Sequence, residues 1–126
     1  MTRDEFDVYC GSLKAATHVV QWGGASVWKV GGKIFAICSN WGPDEKETDD
    51  VSAPIRISFK CSDLSYQILC ELEGIIPAPY LARAKWVLAY DGALSEEDIR
   101  SYIADAHAII ASKLTKKMQR ELGLIT

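Results

Sequence analysis

The chain has 126 residues and a formal charge of −3, from 14 Lys and Arg against 17 Asp and Glu. Hydrophobic residues make up 48% and charged residues 25%, the balance of one globular domain that can bury a core without a metal or disulfide staple. The charge excludes a polycation that coats nucleic acid by bulk attraction, though not a local basic patch. No apolar run reaches the ~18–20 residues of a membrane span, and Met1-Thr2-Arg3-Asp4-Glu5 has no apolar core of the kind an export signal needs.

Thr2 to Glu5 reads T-x-x-E, a capping box. Phe6, Tyr9, Cys10 and Leu13 then recur at helical spacing, predicting a helix over 2–15. From Thr17 to Ser39 the chain turns β-branched and aromatic, with Val19-Val20, Val27-Trp28 and Ile34–Cys38 as the apolar runs. Gly23-Gly24 breaks the first segment. Gly31-Gly32 lies between Trp28-Lys29-Val30 and Lys33-Ile34-Phe35, which predicts a tight hairpin, because its turn needs positive φ at both central residues.

Asn40 to Ser52 is polar and holds Asp44, Glu45, Glu47, Asp49 and Asp50 against Lys46 alone. It lacks the D-x-D-x-D-G spacing and distal Glu of a calcium loop, so it reads as a solvated loop. Pro54 to Lys60 alternates: Ile55, Ile57 and Phe59 face a core, while Arg56, Ser58 and Lys60 face water. Ser62 or Asp63 caps a helix carrying Leu64, Ile68, Leu69 and Leu72, which Gly74 ends. Residues 75–84, with Pro77 and Pro79, read as a connection. Lys85–Tyr90 is the next strand, with Trp86, Leu88 and Tyr90 on one face.

Asp91-Gly92 turns the chain, and Ser95-Glu96-Glu97-Asp98 opens the longest helix. Ile99, Tyr102, Ile103, Ala106, Ile110 and Leu114 form its apolar stripe. Thr115 caps a last short helix, Lys116–Leu122, which stops at Gly123. No repeat or linker divides residues 1–126. The elements predict a single α+β domain, helices packed on one face of a twisted antiparallel sheet.

Little in the chain points to catalysis. The cysteines (Cys10, Cys38, Cys61, Cys70) form no C-x-x-C pair and sit among apolar neighbours, as buried thiols do in a reducing cytoplasm. Zinc sites draw on close Cys and His pairs, which are absent. His18 and His107 are the only histidines, and no G-x-S-x-G occurs. A deep pocket joining either histidine to a carboxylate would mark a small enzyme or ligand-binding domain. His107 flanks the long apolar stripe and reads as packed or boundary. The pairs Glu71/Glu73, Glu96/Glu97 and Asp49/Asp50 sit at helix ends or in the polar loop rather than across a cleft. Neither G-x-G-x-x-G nor G-x-x-x-x-G-K-[ST] is present. No catalytic residue, metal site or cofactor is expected.

Positive charge is the remaining lead. Arg56 and Lys60 share the polar side of their strand, Lys29 and Lys33 flank the glycine turn, and Arg83 and Lys85 lead into the Trp86 strand. Lys113, Lys116, Lys117 and Arg120 follow in the tail, while acids gather at 44–50 and 91–98. An acidic protein with segregated basic residues can still contact phosphates. Trp22, Trp28, Trp41 and Trp86 offer stacking surfaces, although Trp28 and Trp86, on strands, read as core.

The succession F-D-V-Y-C, W-K-V-G-G-K-I-F-A, I-R-I-S-F-K-C-S, P-A-P-Y-L-A-R-A-K-W-V and the capped helix ending in K-L-T-K-K resembles the MmcQ/YjbR family of small bacterial proteins over essentially the whole chain. Val30–Ala36 and Pro79–Val87 carry the likeness most specifically. Many relatives place a histidine just before the tryptophan of the second stretch and a lysine two residues earlier. Here Lys85 and Arg83 stand there, which keeps positive charge and removes an imidazole. The resemblance implies a compact fold similar to secretion-chaperone-like domains, a DNA-binding label, and no cofactor, metal or catalytic residue. The resulting expectation is a cytoplasmic, non-enzymatic protein that contacts DNA phosphates through Lys29, Lys33, Arg56, Lys60, Arg83 and Lys85. The alternative is a protein-interaction module, or a homodimeric chaperone-like adaptor, that uses the sheet or an edge strand.

Overall fold

The computed structural model describes residues 1–21, 24–39, 55–79 and 81–125. The polar segment 40–54, Trp22, Trp41 and Tyr80 therefore lie outside the described residues. The chain opens with helix α1 (Arg3–Gly11), whose capping box forms as the sequence predicts: Thr2 Oγ1 accepts from the Glu5 N–H and Glu5 accepts from the Thr2 N–H. The helix ends earlier than its apolar spacing suggests. Ser12 is its C-cap, and Ala15 takes φ +59° to turn the chain into a strand.

Strands β1 (Ala16–Gln21), β2 (Ala25–Val30), β3 (Lys33–Ser39) and β4 (Arg56–Lys60) follow. Helix α2 (Asp63–Leu69) and the short strand β5 (Ile75–Pro77) lead through a 3₁₀ turn (Ala82–Ala84) to β6 (Trp86–Tyr90). Helices α3 (Glu96–Ser112) and α4 (Lys116–Glu121) complete the chain. Among the described residues the sheet has six strands in the order β1-β2-β3-β4-β6-β5, every neighbouring pair antiparallel. The β2–β3 hairpin turns on Gly31 and Gly32 with φ +58° and +80°, the geometry their pairing in the sequence requires.

One strand escapes the sequence pattern. Residues 75–84 read as a connection, but Ile75–Pro77 pairs with Ala89–Val87 as an edge strand. Three residues are too few to show a period of two, and Pro77 reads as a breaker unless its place on the edge is known.

α3 lies across β3 and β4 and builds the main core with them. Phe6, Phe35, Phe59, Val87 and Ile103 are fully buried there. A β-bulge shapes this core. Lys29 pairs with Ile34 and Trp28 with Ala36, which leaves Phe35 as the extra residue. Phe35 and Ala36 therefore both join the helix-side core, and Ile34 and Ile37 go to the other face.

That other face is not wet, which corrects the reading of β4. Ala25, Val27, Ile37, Ala78, Trp86 and Leu88 form a second apolar cluster there. Alternation along β4 holds, with Ile57 and Phe59 on the helix side. Arg56 and Lys60 nevertheless retain only 4% and 7% of their exposure. Their strand neighbours on β6, Tyr90 and Trp86, belong to that apolar side, so neither residue stands on an open face.

Candidate functional site

Three cluster types could carry function: the basic residues, the histidines with their carboxylates, and the exposed apolar side chains. The register fixes where the basic residues lie. Val30 pairs with Lys33 across the hairpin turn, Phe59 pairs with Ala36, and Lys60 pairs with Trp86. The β2–β3 turn, the end of β4 and the start of β6 therefore share one end of the sheet. The C-terminus of α3 reaches the same end, because a Cβ on Gly31 would meet Leu114 and Met118. Lys29, Lys33, Lys60, Arg83, Lys85 and Lys113 are gathered there from four separate stretches of chain.

These cations differ in environment. Lys33, Arg83 and Lys113 are exposed, and Lys29 and Lys85 are half-buried. Lys60 donates from Nζ to the Ala84 carbonyl. Burial holds the Lys60 ammonium below the ordinary lysine value, and the neighbouring charges of Lys113 and Lys85 add to the effect. Lys85 takes the left-handed conformation at φ +61°, a backbone state that costs a non-glycine residue about 1 kcal/mol or more. Its carbonyl accepts from the Cys61 N–H at 2.9 Å, and its ammonium lies 5.0 Å from the centre of the Tyr66 ring. The Cys61 hydrogen bond and the cation–π pair hold that conformation.

Arg56 is the residue of the six that does not join. It pairs in register with Tyr90 at the opposite end of β4, and its guanidinium sits 5.1 Å from that ring's centre. Negative charge collects at this opposite end: Asp91 follows β6, and Glu96, Glu97 and Asp98 form the first turn of α3. The amino terminus of Met1 lies 4.0 Å from Glu96. A chain of net charge −3 is thus polarised along its strands.

Ser, His and Asp do meet in this fold, at a place the sequence did not reveal. Asp7 on α1 reaches the β1–β2 hairpin, where its Oδ1 accepts from Ser26 Oγ at 2.5 Å and from Trp28 Nε1 at 2.9 Å. His18 Nε2 lies 2.7 Å from Ser26 Oγ and 3.9 Å from Asp7 Oδ1, and its ring stacks on Trp28 with centroids 4.6 Å apart. The single Ser26 proton goes to Asp7, so His18 must donate to Ser26. That order is the reverse of an activated nucleophile, in which histidine accepts the serine proton. Ser26 is also fully buried. The cluster therefore ties α1 to the hairpin. No sequence signal marks it, since its members are separated by 8, 19 and 21 positions.

His107 packs as its position on α3 suggests. Its Nε2 lies 2.7 Å from the Lys14 carbonyl oxygen, and its ring stands edge-on to Phe35. Trp28 and Trp86 are core residues. Cys10, Cys38 and Cys61 are buried free thiols, and burial pushes the Cys38 thiol up to about 12 and that of Cys61 up to about 11. Among the described residues no group of three or more His, Cys, Asp and Glu could hold a metal ion, and no helix is long and apolar enough to cross a membrane. Leu64, Ile68 and Leu72 line the outer side of α2 and the turn after it, 66%, 50% and 44% exposed.

Known structures share this architecture. The chain is similar to the crystal structure of protein DR2400 from Deinococcus radiodurans, which carries a DUF419 domain. The match has a TM-score of 0.79 and 22% identity, and covers 97% of this chain and 88% of that one. It is also similar to a crystal structure of a protein from Pseudomonas syringae, with a TM-score of 0.70 and 19% identity, over 87% of this chain and 99% of that one. These likenesses show the fold. No curated protein matches the chain. The YjbR family model matches residues 11–109, a span that runs from the end of α1 into the last turns of α3 and holds the whole sheet. The chain belongs to the YjbR family.

Proposed function

We propose that this YjbR-family protein is a non-enzymatic module that contacts nucleic-acid phosphates through the basic end of its sheet, not through a sheet face. The observation that carries this reading is the convergence of Lys33, Lys60, Arg83, Lys85 and Lys113 at one end, with the acids of 91–98 at the other. Clustered cations exchange condensed counterions for phosphate contacts, and the acidic end orients the approach. Lys116 and Lys117, at the start of α4 beside the hairpin turn, extend the same end. Arg56, buried at the far end, has no part in it. The buried, reduced thiols fit a cytoplasmic setting.

The test is fluorescence anisotropy with a labelled duplex across a range of salt. Wild type should bind with a linear log–log salt dependence. Neutralising Lys33, Arg83 and Lys113 to Gln should weaken binding and flatten the slope by about 0.9 for each phosphate no longer neutralised. No binding at low salt, or an unchanged slope in the triple variant, overturns the reading.

A second reading, a protein-interaction module, is favoured by the exposed Leu64, Ile68 and Leu72 stripe. It predicts that Ile68→Glu abolishes capture of partners while leaving DNA affinity unchanged. Equal capture by wild type and variant would refute it.

A further inference from the structure

The two edges of the sheet are treated differently. At one edge, β5 has three residues and ends in Pro77. A short strand and a proline are ordinary defences against pairing with another chain. At the other edge, β1 has six residues, Ala16-Thr17-His18-Val19-Val20-Gln21, with no proline, lysine or carboxylate. Val20 is 54% exposed.

The register shows which backbone groups of β1 face outward. Val30 and Lys33 close a two-residue turn, and such a pair exchanges both hydrogen bonds. Bonding direction alternates along an antiparallel strand, so Ser26, Trp28 and Val30 serve β3 while Ala25, Val27 and Lys29 serve β1. The β1 partners of that second set are Gln21, Val19 and Thr17. His18 and Val20, between them, turn their N–H and C=O groups to the outer edge, where no strand among the described residues pairs with β1. Ala16 agrees with this phase, for its N–H bonds to the Leu13 carbonyl at 3.2 Å instead of to β2.

We propose that two copies of this chain associate edge to edge through β1 about a two-fold axis normal to the sheet, joining the two sheets into one. The segment 18–20 is its own complement. Antiparallel pairing centred on Val19 sets His18 of each copy opposite Val20 of the other, and the two pairs exchange four N–H···O=C bonds. Val19, which flanks the second apolar cluster, meets its counterpart at the close, non-hydrogen-bonded position. Thr17 faces Gln21, and no like charges are opposed. The exposed Val20 side chain gains a neighbour in the second copy's His18. The paired segment, centred on Val19, contains none of the lysines or arginines assigned to phosphate contact, so the proposal does not depend on phosphate binding.

Sedimentation equilibrium across a wide concentration range tests it. The mass should rise from 13.9 kDa toward twice that value. The His18 and Val20 amides should exchange slowly only at high concentration. Val20→Pro removes an outward N–H and breaks no β1–β2 bond, a change edge strands tolerate. It should stay monomeric at every concentration with unchanged circular dichroism. Val19→Pro, whose N–H serves β2, should instead lower the melting temperature. If Val20→Pro fails to fold, Val20→Lys applies the same test with an edge charge. A wild-type mass constant at 13.9 kDa, or a well-folded Val20 variant that still dimerises, overturns the proposal.

Discussion

Replacing Asp7 by Ala should loosen α1 from the sheet, and the cost can be worked out group by group. Asp7 Oδ1 accepts from Trp28 Nε1 at 2.9 Å and from Ser26 Oγ at 2.5 Å, and the two donors are 8% and 0% exposed. A buried donor left without its acceptor costs about 1–3 kcal/mol. Ser26 has a second option, since His18 Nε2 at 2.7 Å can accept its proton once the imidazole changes tautomer. Trp28 has no such alternative, because its single N–H points at Asp7. The expected loss is about 2–3 kcal/mol, most of it from Trp28 and the lost charge assistance. Asp7→Asn keeps an acceptor oxygen and should cost about 1 kcal/mol. His18→Ala leaves both bonds to Asp7 in place and removes the stacked ring with its hydrogen bond to Ser26, so it should cost about 1 kcal/mol. Urea unfolding followed by tryptophan fluorescence and circular dichroism measures all three. For a domain of this size each 1 kcal/mol should appear as roughly 3–6 °C of melting temperature. If Asp7→Ala changes stability by less than about 0.5 kcal/mol, or His18→Ala costs more than Asp7→Ala, the hydrogen-bond assignment is wrong. A double-mutant cycle of Asp7→Ala with Ser26→Ala should show coupling, because the residues share one bond.

Three further outcomes follow from local geometry. Gly31→Ala sets a Cβ 2.6 Å from Leu114 Cδ1 at φ +58°, whereas Gly32→Ala, at φ +80°, has no heavy atom within 4 Å. The first should cost more than the second, which should lose only about 1 kcal/mol of backbone strain; equal melting temperatures would contradict the packing of the hairpin turn on α3 and α4. With a thiol reagent at mildly alkaline pH, Cys70 should react first, since it alone of the four cysteines is not fully buried, while Cys38 and Cys61 are held at about 12 and about 11; labelling of Cys38 in folded protein would refute this order. The lowered Lys60 value means that the unfolded chain holds more protons than the native one between the depressed value and the ordinary ~10.4. Stability should therefore rise with pH across that window, and Lys60→Met should remove this increment from the pH profile; a profile that matches wild type would assign it to other groups.

Much of this fold is written in short stretches of sequence, because the forces that form them act within a few residues. The capping hydroxyls Thr2, Ser62, Ser95 and Thr115 each accept from a backbone N–H three positions on. Gly31-Gly32 determines its turn by permitting positive φ. Alternation along 55–60 states which side chains share a face, and the apolar stripe of α3 states which of its faces is buried. A period, however, reports only relative orientation. It cannot say whether the second face of a strand is also covered, so Arg56 and Lys60 read as wet when Trp86, Leu88 and Ile37 pack that side.

Only tertiary structure decided the candidate sites. Lys33, Lys60, the Arg83–Lys85 pair and Lys113 come from four separate stretches of chain, and strand order with the return of α3 brings them to one end. Strand order likewise puts the six-residue β1 at one edge, unpaired on its outer side among the described residues, and the short β5 at the other. The bulge at Phe35 and the meeting of Asp7 with Ser26, Trp28 and His18 arise from packing between elements, where no local rule of spacing applies. Sequence sets the local conformations and the polarity of each face, because capping, turn geometry and amphipathic period are short-range. Which faces meet, which cations converge and which edge stays open depend on contacts between residues distant in the chain, and those exist only once it has folded.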